Sequence, residues 1–172
     1  LGPFGALFGS QIGSNMASRK AATEQLEKMG LSRDMIKGAE ELMRELQEME
    51  KGAQEVRDAY QNQAQRALKL EKEADQYYEQ AKAAVEAGDD DAARELLEKR
   101  KRAQTDLEKT VAQVVAARQR RDQMDSAVEQ MAKRAGDYEQ LMKRSMDASM
   151  VANAVDAGDD ESIKMWLDSN PV

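Results

Sequence analysis

Residues 81–97, AKAAVEAGDDDAARELL, decide how this chain folds. An alanine-rich run stops at Gly88, three aspartates follow, and a second helix-forming run begins at once. Glycine just past a helix caps its C-terminus, because it adopts left-handed backbone angles without a Cβ penalty. Aspartates opening the next helix supply N-cap oxygens and a charge that suits the macrodipole. The stretch therefore predicts a tight reversal between two helices, with the turn at residues 87–91 and Gly88, Asp89 and Asp91 as its defining residues.

Working outward, both arms carry a heptad. Upstream, steps of four and three residues give Met35, Ala39, Leu42, Leu46, Met49, Ala53, Val56, Tyr60, Gln63, Ala67, Leu70, Ala74, Tyr77, Ala81 and Ala84. Downstream, the series is Ala93, Leu96, Arg100, Ala103, Leu107, Thr110, Val114, Ala117, Arg121, Met124, Val128, Met131, Ala135, Tyr138 and Met142. A stripe this regular keeps one face toward a partner helix over many turns, which is the signature of a coiled coil. At 1.5 Å per residue the first arm extends roughly 75–80 Å. Folding at Gly88 pairs positions whose numbers sum to about 177, so that Ala53 meets Met124, Ala39 meets Tyr138 and Met35 meets Met142. Large residues mostly oppose small ones, as an interdigitating seam requires. Arg100 falls beside Tyr77, where a cation–π contact is expected, and Arg121 falls beside Val56.

The expected fold is all-α: a long antiparallel two-helix coiled-coil hairpin over residues 32–152, begun by Ser32 and Asp34. Residues 1–31 precede it as an uncharged, glycine-spaced segment (LGPFGALFGSQIGSNMAS, 1–18) and a short helix ended by Gly30. Residues 153–172 follow as a turn and a short helix, Glu161 to Asp168, ended by Asn170-Pro171. The turn there repeats the first: Val155-Asp156-Ala157-Gly158-Asp159-Asp160-Glu161 echoes Val85-Glu86-Ala87-Gly88-Asp89-Asp90-Asp91. Met165, Trp166 and Leu167 give the last helix its contact residues.

Composition agrees with long helices. Of 172 residues 34% are charged, 4% are aromatic and two are proline. With no cysteine there are no disulfides or thiolate metal sites, and with no histidine the commonest general base and metal ligand is missing. A net charge of −7 argues against nucleic acid as a partner. No run of about 20 apolar residues suggests a membrane-spanning helix. The chain begins Leu1-Gly2-Pro3, as expected of a processed form or of part of a longer chain.

No nucleotide-binding loop, nucleophile elbow or zinc-protease helix occurs. The aspartate clusters lack the twelve-residue spacing of a calcium loop and read as helix caps. Carboxylates on the helices have lysines or arginines three or four residues away, which makes them solvated ion-pair faces. The basic runs Lys99-Arg100-Lys101-Arg102 and Arg118, Arg120, Arg121 are read in the same way. No catalytic residue, metal or cofactor is expected, and the chain is not read as an enzyme.

The N-terminal segment is different. Gly5, Gly9, Gly13 and Ala17 recur every four residues, with Phe4 and Phe8 on an adjacent face. In a helix this spacing lets a second helix approach closely, a device of membrane packing. Phe4, Gly5, Phe8, Gly9, Gly13 and Ala17 are therefore the candidate docking residues for membrane lipid or a partner helix.

Around the turn, Glu73 to Lys109 resembles the phage-shock-protein A / IM30 (Vipp1) family of the ESCRT-III-like superfamily. Tyr77 stands at the family's aromatic position, Ala81 to Val85 form its alanine run, and Asp91-Ala92-Ala93-Arg94 and Glu98-Lys99 complete the pattern. Val155–Leu167 also resembles the family's short helix after the hairpin. The resemblance spans roughly residues 35–168. It implies a non-enzymatic scaffold bound peripherally to a membrane, the plastid thylakoid or the bacterial cytoplasmic membrane, which self-assembles to maintain or remodel it. The neutral N-terminus differs from the family's basic amphipathic helix and supports a second reading. In that reading the chain is a linker subunit of a larger membrane protein complex, photosynthetic in the plastid case, docked by its first 18 residues.

Overall fold

The computed structural model of the chain describes residues 16–158 and 160–169, the side chains of 16–19 and 162 excepted. The described residues form four helices: α1 (Met16–Lys28), α2 (Arg33–Glu86), α3 (Asp90–Ala157) and α4 (Asp160–Ser169). The long helices α2 and α3 pack against each other as a helical hairpin. The seam is where the heptads place it. All fifteen positions named on each arm are buried or half-buried, including the polar Gln63 and Thr110 and both arginines.

Glycine caps set the helix ends. Gly30 has φ +96°, its N–H donates to the Glu27 carbonyl (3.0 Å), and the Leu31 N–H donates to the Leu26 carbonyl (3.1 Å). These are the two bonds of a Schellman motif, and its hydrophobic contact is present as buried Leu26 and Leu31. Gly88 (φ +78°) repeats the pattern, with Gly88 N–H to Val85 (3.0 Å) and Asp89 N–H to Ala84 (2.9 Å). Asp89 also starts α3, because its Oδ1 accepts from the Ala92 N–H at 3.0 Å. The echo at Gly158 is a third left-handed cap (φ +68°), bonded to the Val155 carbonyl at 3.1 Å. Ser32 caps α2 through the Met35 N–H (3.2 Å).

Three boundaries differ from the sequence reading. The first helix begins at Met16, three residues early. The second arm runs to Ala157 and not to about 152, because no helix breaker intervenes before Gly158. The last helix spans Asp160–Ser169, a residue longer at each end.

Packing divides the chain into two units, Leu1–Glu48 with Val128–Val172, and Met49–Ala127. In the first unit the core is Leu26, Leu31, Ile36, Ala39, Leu46, Ala135 and Met142. Here the hairpin gains a third helix. With Ala39 as heptad position a and Leu42 as d, Ile36 and Met43 are e positions on α2, and Ala132 and Met146 are e positions on α3. All four join the core with Leu26 of α1, so α1 covers the e flank of the seam. Tyr138 lies over Gly38, where an added Cβ would sit 2.5 Å from the phenol oxygen, and its hydroxyl donates to the Met35 carbonyl (3.2 Å). Ser145 Oγ donates to the Gly30 carbonyl (3.2 Å), which ties α3 to the first turn. Arg33 pairs with Glu27 across that turn. This hydrogen bond and the Glu27 charge raise the Arg33 guanidinium above its ordinary range.

In the second unit Ala53, Ala74, Ala81, Ala93 and Ala103 are buried; in the register Ala53 opposes Met124 and Ala81 opposes Leu96, whereas Ala74 meets Ala103 and Ala93 meets Ala84. Arg57 and Asp125, both e positions, bridge the helices through Arg57 Nε and Nη2 at 2.9 and 2.7 Å. Pairing of e with e is what antiparallel arms bring together, so the bridge agrees with the register.

Candidate interaction surfaces

The turn residues have separate tasks. Gly88 supplies the left-handed angle and Asp89 the cap, whereas Asp91 is exposed in the first turn of α3, 3.6 Å from Arg94 Nη1. The ion pair Arg102–Glu98 (3.8 Å) shows the basic run solvated, as read from the sequence. Arg100 alone turns toward the seam.

Both seam arginines stack on tyrosines of the opposite arm. The Arg100 guanidinium lies 4.3 Å from the Tyr78 ring centre, and Arg121 lies 4.5 Å from Tyr60. The sequence pointed Arg100 at Tyr77 and Arg121 at Val56. An arginine at an a position carries its charge outward along the edge of the seam, where the e-position Tyr78 is available and the inward Tyr77 is not. Arg121 also donates to Asp122 through Nε and Nη2 (2.9 and 2.6 Å), and that hydrogen bond raises its guanidinium above the ordinary range. Gln63 Oε1 and Arg100 Nε are buried without a hydrogen-bond partner among the described residues. Polar groups inside an apolar seam cost stability and disfavour slipped registers.

Of the predicted docking residues, Phe4, Gly5, Phe8, Gly9 and Gly13 lie outside the described residues. Ala17 falls in the first turn of α1. The contact residues of α4 divide between two faces. Trp166 and Ile163 are half-buried, while Met165 is 70% exposed and Leu167 51% exposed.

One surface escaped the sequence reading. The second unit has six exposed large apolar residues: Leu68, Tyr78, Val85, Leu97, Val111 and Val115. All occupy e or b positions, the flank that α1 covers in the first unit. Near the turn this flank holds a groove of about 310 Å³, lined by Tyr78, Ala81, Lys82, Val85, Glu86 and Leu97. The signal was legible, since every g position of this unit is polar or small and none carries a large apolar residue. Attention to a and d alone missed it.

Among the described residues no group of three or more His, Cys, Asp or Glu is placed to hold a metal ion, and no helix is long and apolar enough to cross a membrane. The chain matches no family model, no curated protein and no solved structure.

Proposed function

We propose that this chain is a non-enzymatic scaffold of the phage-shock-protein A / IM30 type, bound peripherally to a membrane and assembling with copies of itself. The observation that carries the reading is the Glu73–Lys109 stretch. It resembles that family, and it forms two helix ends closed by the Gly88 turn. Membrane contact is assigned to the uncharged segment 1–18, and the thylakoid or bacterial cytoplasmic membrane is the proposed location. The test is particle size together with vesicle binding. Purified protein is expected to form large homo-oligomers and to sediment with vesicles containing an anionic lipid. A discrete small species that ignores vesicles would sink the proposal.

The second reading, a linker subunit of a larger membrane complex, draws support from the outward Met165 and Leu167 of α4 and from the glycine-spaced N-terminus. It predicts co-purification at fixed stoichiometry after mild detergent extraction, with Gly9→Leu releasing the chain. Unchanged association in that variant counts against docking by the N-terminal segment.

A further inference from the structure

We propose that Met43 and Met146 form an oxidation site: a hydroperoxide converts them to sulfoxides, and α1 then leaves the flank it covers in the first unit. The proposal rests on the packing of that unit and is independent of the membrane and self-assembly readings.

Composition is the first observation. The chain has eleven methionines and neither cysteine nor histidine, so thioethers are its softest nucleophiles. Met49 and Met124 fall in the second unit, and the other nine fall in the first. Five of these, Met35, Met43, Met131, Met142 and Met146, belong to the core of that unit or pack against it.

Placement is the second. Met43 and Met146 are e positions on the flank beneath α1, where they pack against the cluster that holds Leu26 and Leu31. The same flank of the second unit carries leucine, valine and tyrosine but no methionine. Both side chains are half-buried and so partly open to a small oxidant, whereas Met142 is fully buried.

Leverage is the third. Among the described side chains of α1 only Leu26 is buried, with Ala22, Thr23 and Glu27 half-buried. Met146 lies between Ser145, which donates to the Gly30 carbonyl, and Ser149, which lies against Gly30. An element held by so few apolar contacts opens more readily than the hairpin it rests on.

The chemistry is self-contained. The thioether sulfur attacks the outer oxygen of the peroxide, so that an S–O bond forms as the O–O bond breaks. Sulfur gives up two electrons. The transferred oxygen yields its proton to the departing alkoxide or hydroxide, which leaves as alcohol or water. A polar sulfoxide now occupies an apolar contact, and burying it beneath α1 without a partner is unfavourable. Methionine that merely fills gaps in a core has no such effect on α1 at doses that leave the hairpin folded.

The experiment treats the full chain with graded hydrogen peroxide. Peptide mass spectrometry reads the sulfoxide at each methionine. Amide exchange at Leu31 and trypsin cleavage after Lys28 read the docking of α1, and circular dichroism reads the hairpin. The exposed Met29, Met150 and Met165 are expected to oxidise first, with α1 still protected. As Met43 and Met146 follow, exchange and cleavage are expected to rise roughly tenfold or more while the hairpin stays helical. Methionine sulfoxide reductases are expected to restore protection. Met43→Leu with Met146→Leu keeps the apolar volume and is expected to hold α1 in place at the same dose. Met150→Leu with Met165→Leu is expected to respond as wild type does. Met43 and Met146 that stay reduced until the hairpin unfolds overturn the proposal. So do sulfoxides at both sites with α1 still protected, equal release in the Met43/Met146 variant, or release that the reductases do not reverse. In wild-type samples, whether or not the double variant folds, the share of released chains must follow oxidation at these two sites. A share that follows Met29 instead also overturns the proposal.

Discussion

Replacing Gly30 by alanine tests the packing of the first unit most sharply, because Gly88 provides a matched control. Both glycines close a Schellman cap with positive φ, +96° and +78°. A side chain there costs about 1–2 kcal/mol for the left-handed backbone alone. At Gly88 nothing lies within 4 Å of an added Cβ, so Gly88→Ala is expected to cost only that. At Gly30 the new methyl would sit 2.2 Å from Ser149 Cβ and 2.5 Å from Ser149 Oγ. Carbon atoms in contact rest about 3.5–4.0 Å apart, so the turn must retreat from α3 by more than roughly 1 Å. That retreat breaks the Ser145 hydrogen bond to the Gly30 carbonyl and lifts Leu31, 3% exposed, off the core. Overpacking of this kind adds about 1–3 kcal/mol, for a total near 2–5 kcal/mol. Urea unfolding followed at 222 nm measures both losses, and amide exchange at Leu31 shows whether the damage is local. Adding Ser149→Gly to Gly30→Ala removes the clashing Cβ, so the double variant should lose less than the sum of the two single losses. Equal losses for Gly30→Ala and Gly88→Ala would refute the close approach of α3 to the first turn.

Three further outcomes are expected. Met142→Ala empties a fully buried site and should cost about 2–5 kcal/mol in the same unfolding assay. Tyr138→Phe removes the bond to the Met35 carbonyl and should cost about 0.5–1.5 kcal/mol; combined with Gly38→Ala it should relieve part of the crowding at Gly38, which a double-mutant cycle detects. Arg100→Leu fills an a position with an apolar side chain and loses the stacking on Tyr78, so its net effect should stay within about 1 kcal/mol, and a loss above 3 kcal/mol would show that the arginine holds the seam.

The seam was legible because a two-helix interface writes a strict period of 3.5 residues, and every a and d position read from the sequence is buried or half-buried. The turn was legible because glycine and aspartate have few other reasons to follow a helix in that order. The docking of α1 was not foreseen. Its inward face is Ala22, Thr23 and Leu26, too small to announce itself by periodicity, and the decisive residues, Ile36 and Met43, lie on the partner helix one step outside the seam. The Arg100–Tyr78 contact was missed by one residue. The heptad assigns levels along the helix, whereas a long side chain chooses its partner by the direction in which it leaves the backbone. The proposed docking residues from Phe4 to Gly13 lie outside the described residues.

The Asp89 turn has an evolutionary consequence. One residue ends the cap of α2 and begins α3, with its N–H committed to Ala84 and its carboxylate to Ala92. Such a junction has no slack to absorb a change in length. An insertion or deletion in one arm rotates every residue beyond it by about 100° per position and carries the seam out of phase. Relatives of this chain are therefore expected to differ in arm length only by whole heptads, gained or lost at the same level of both arms, so that indels in one half of an alignment predict indels in the other.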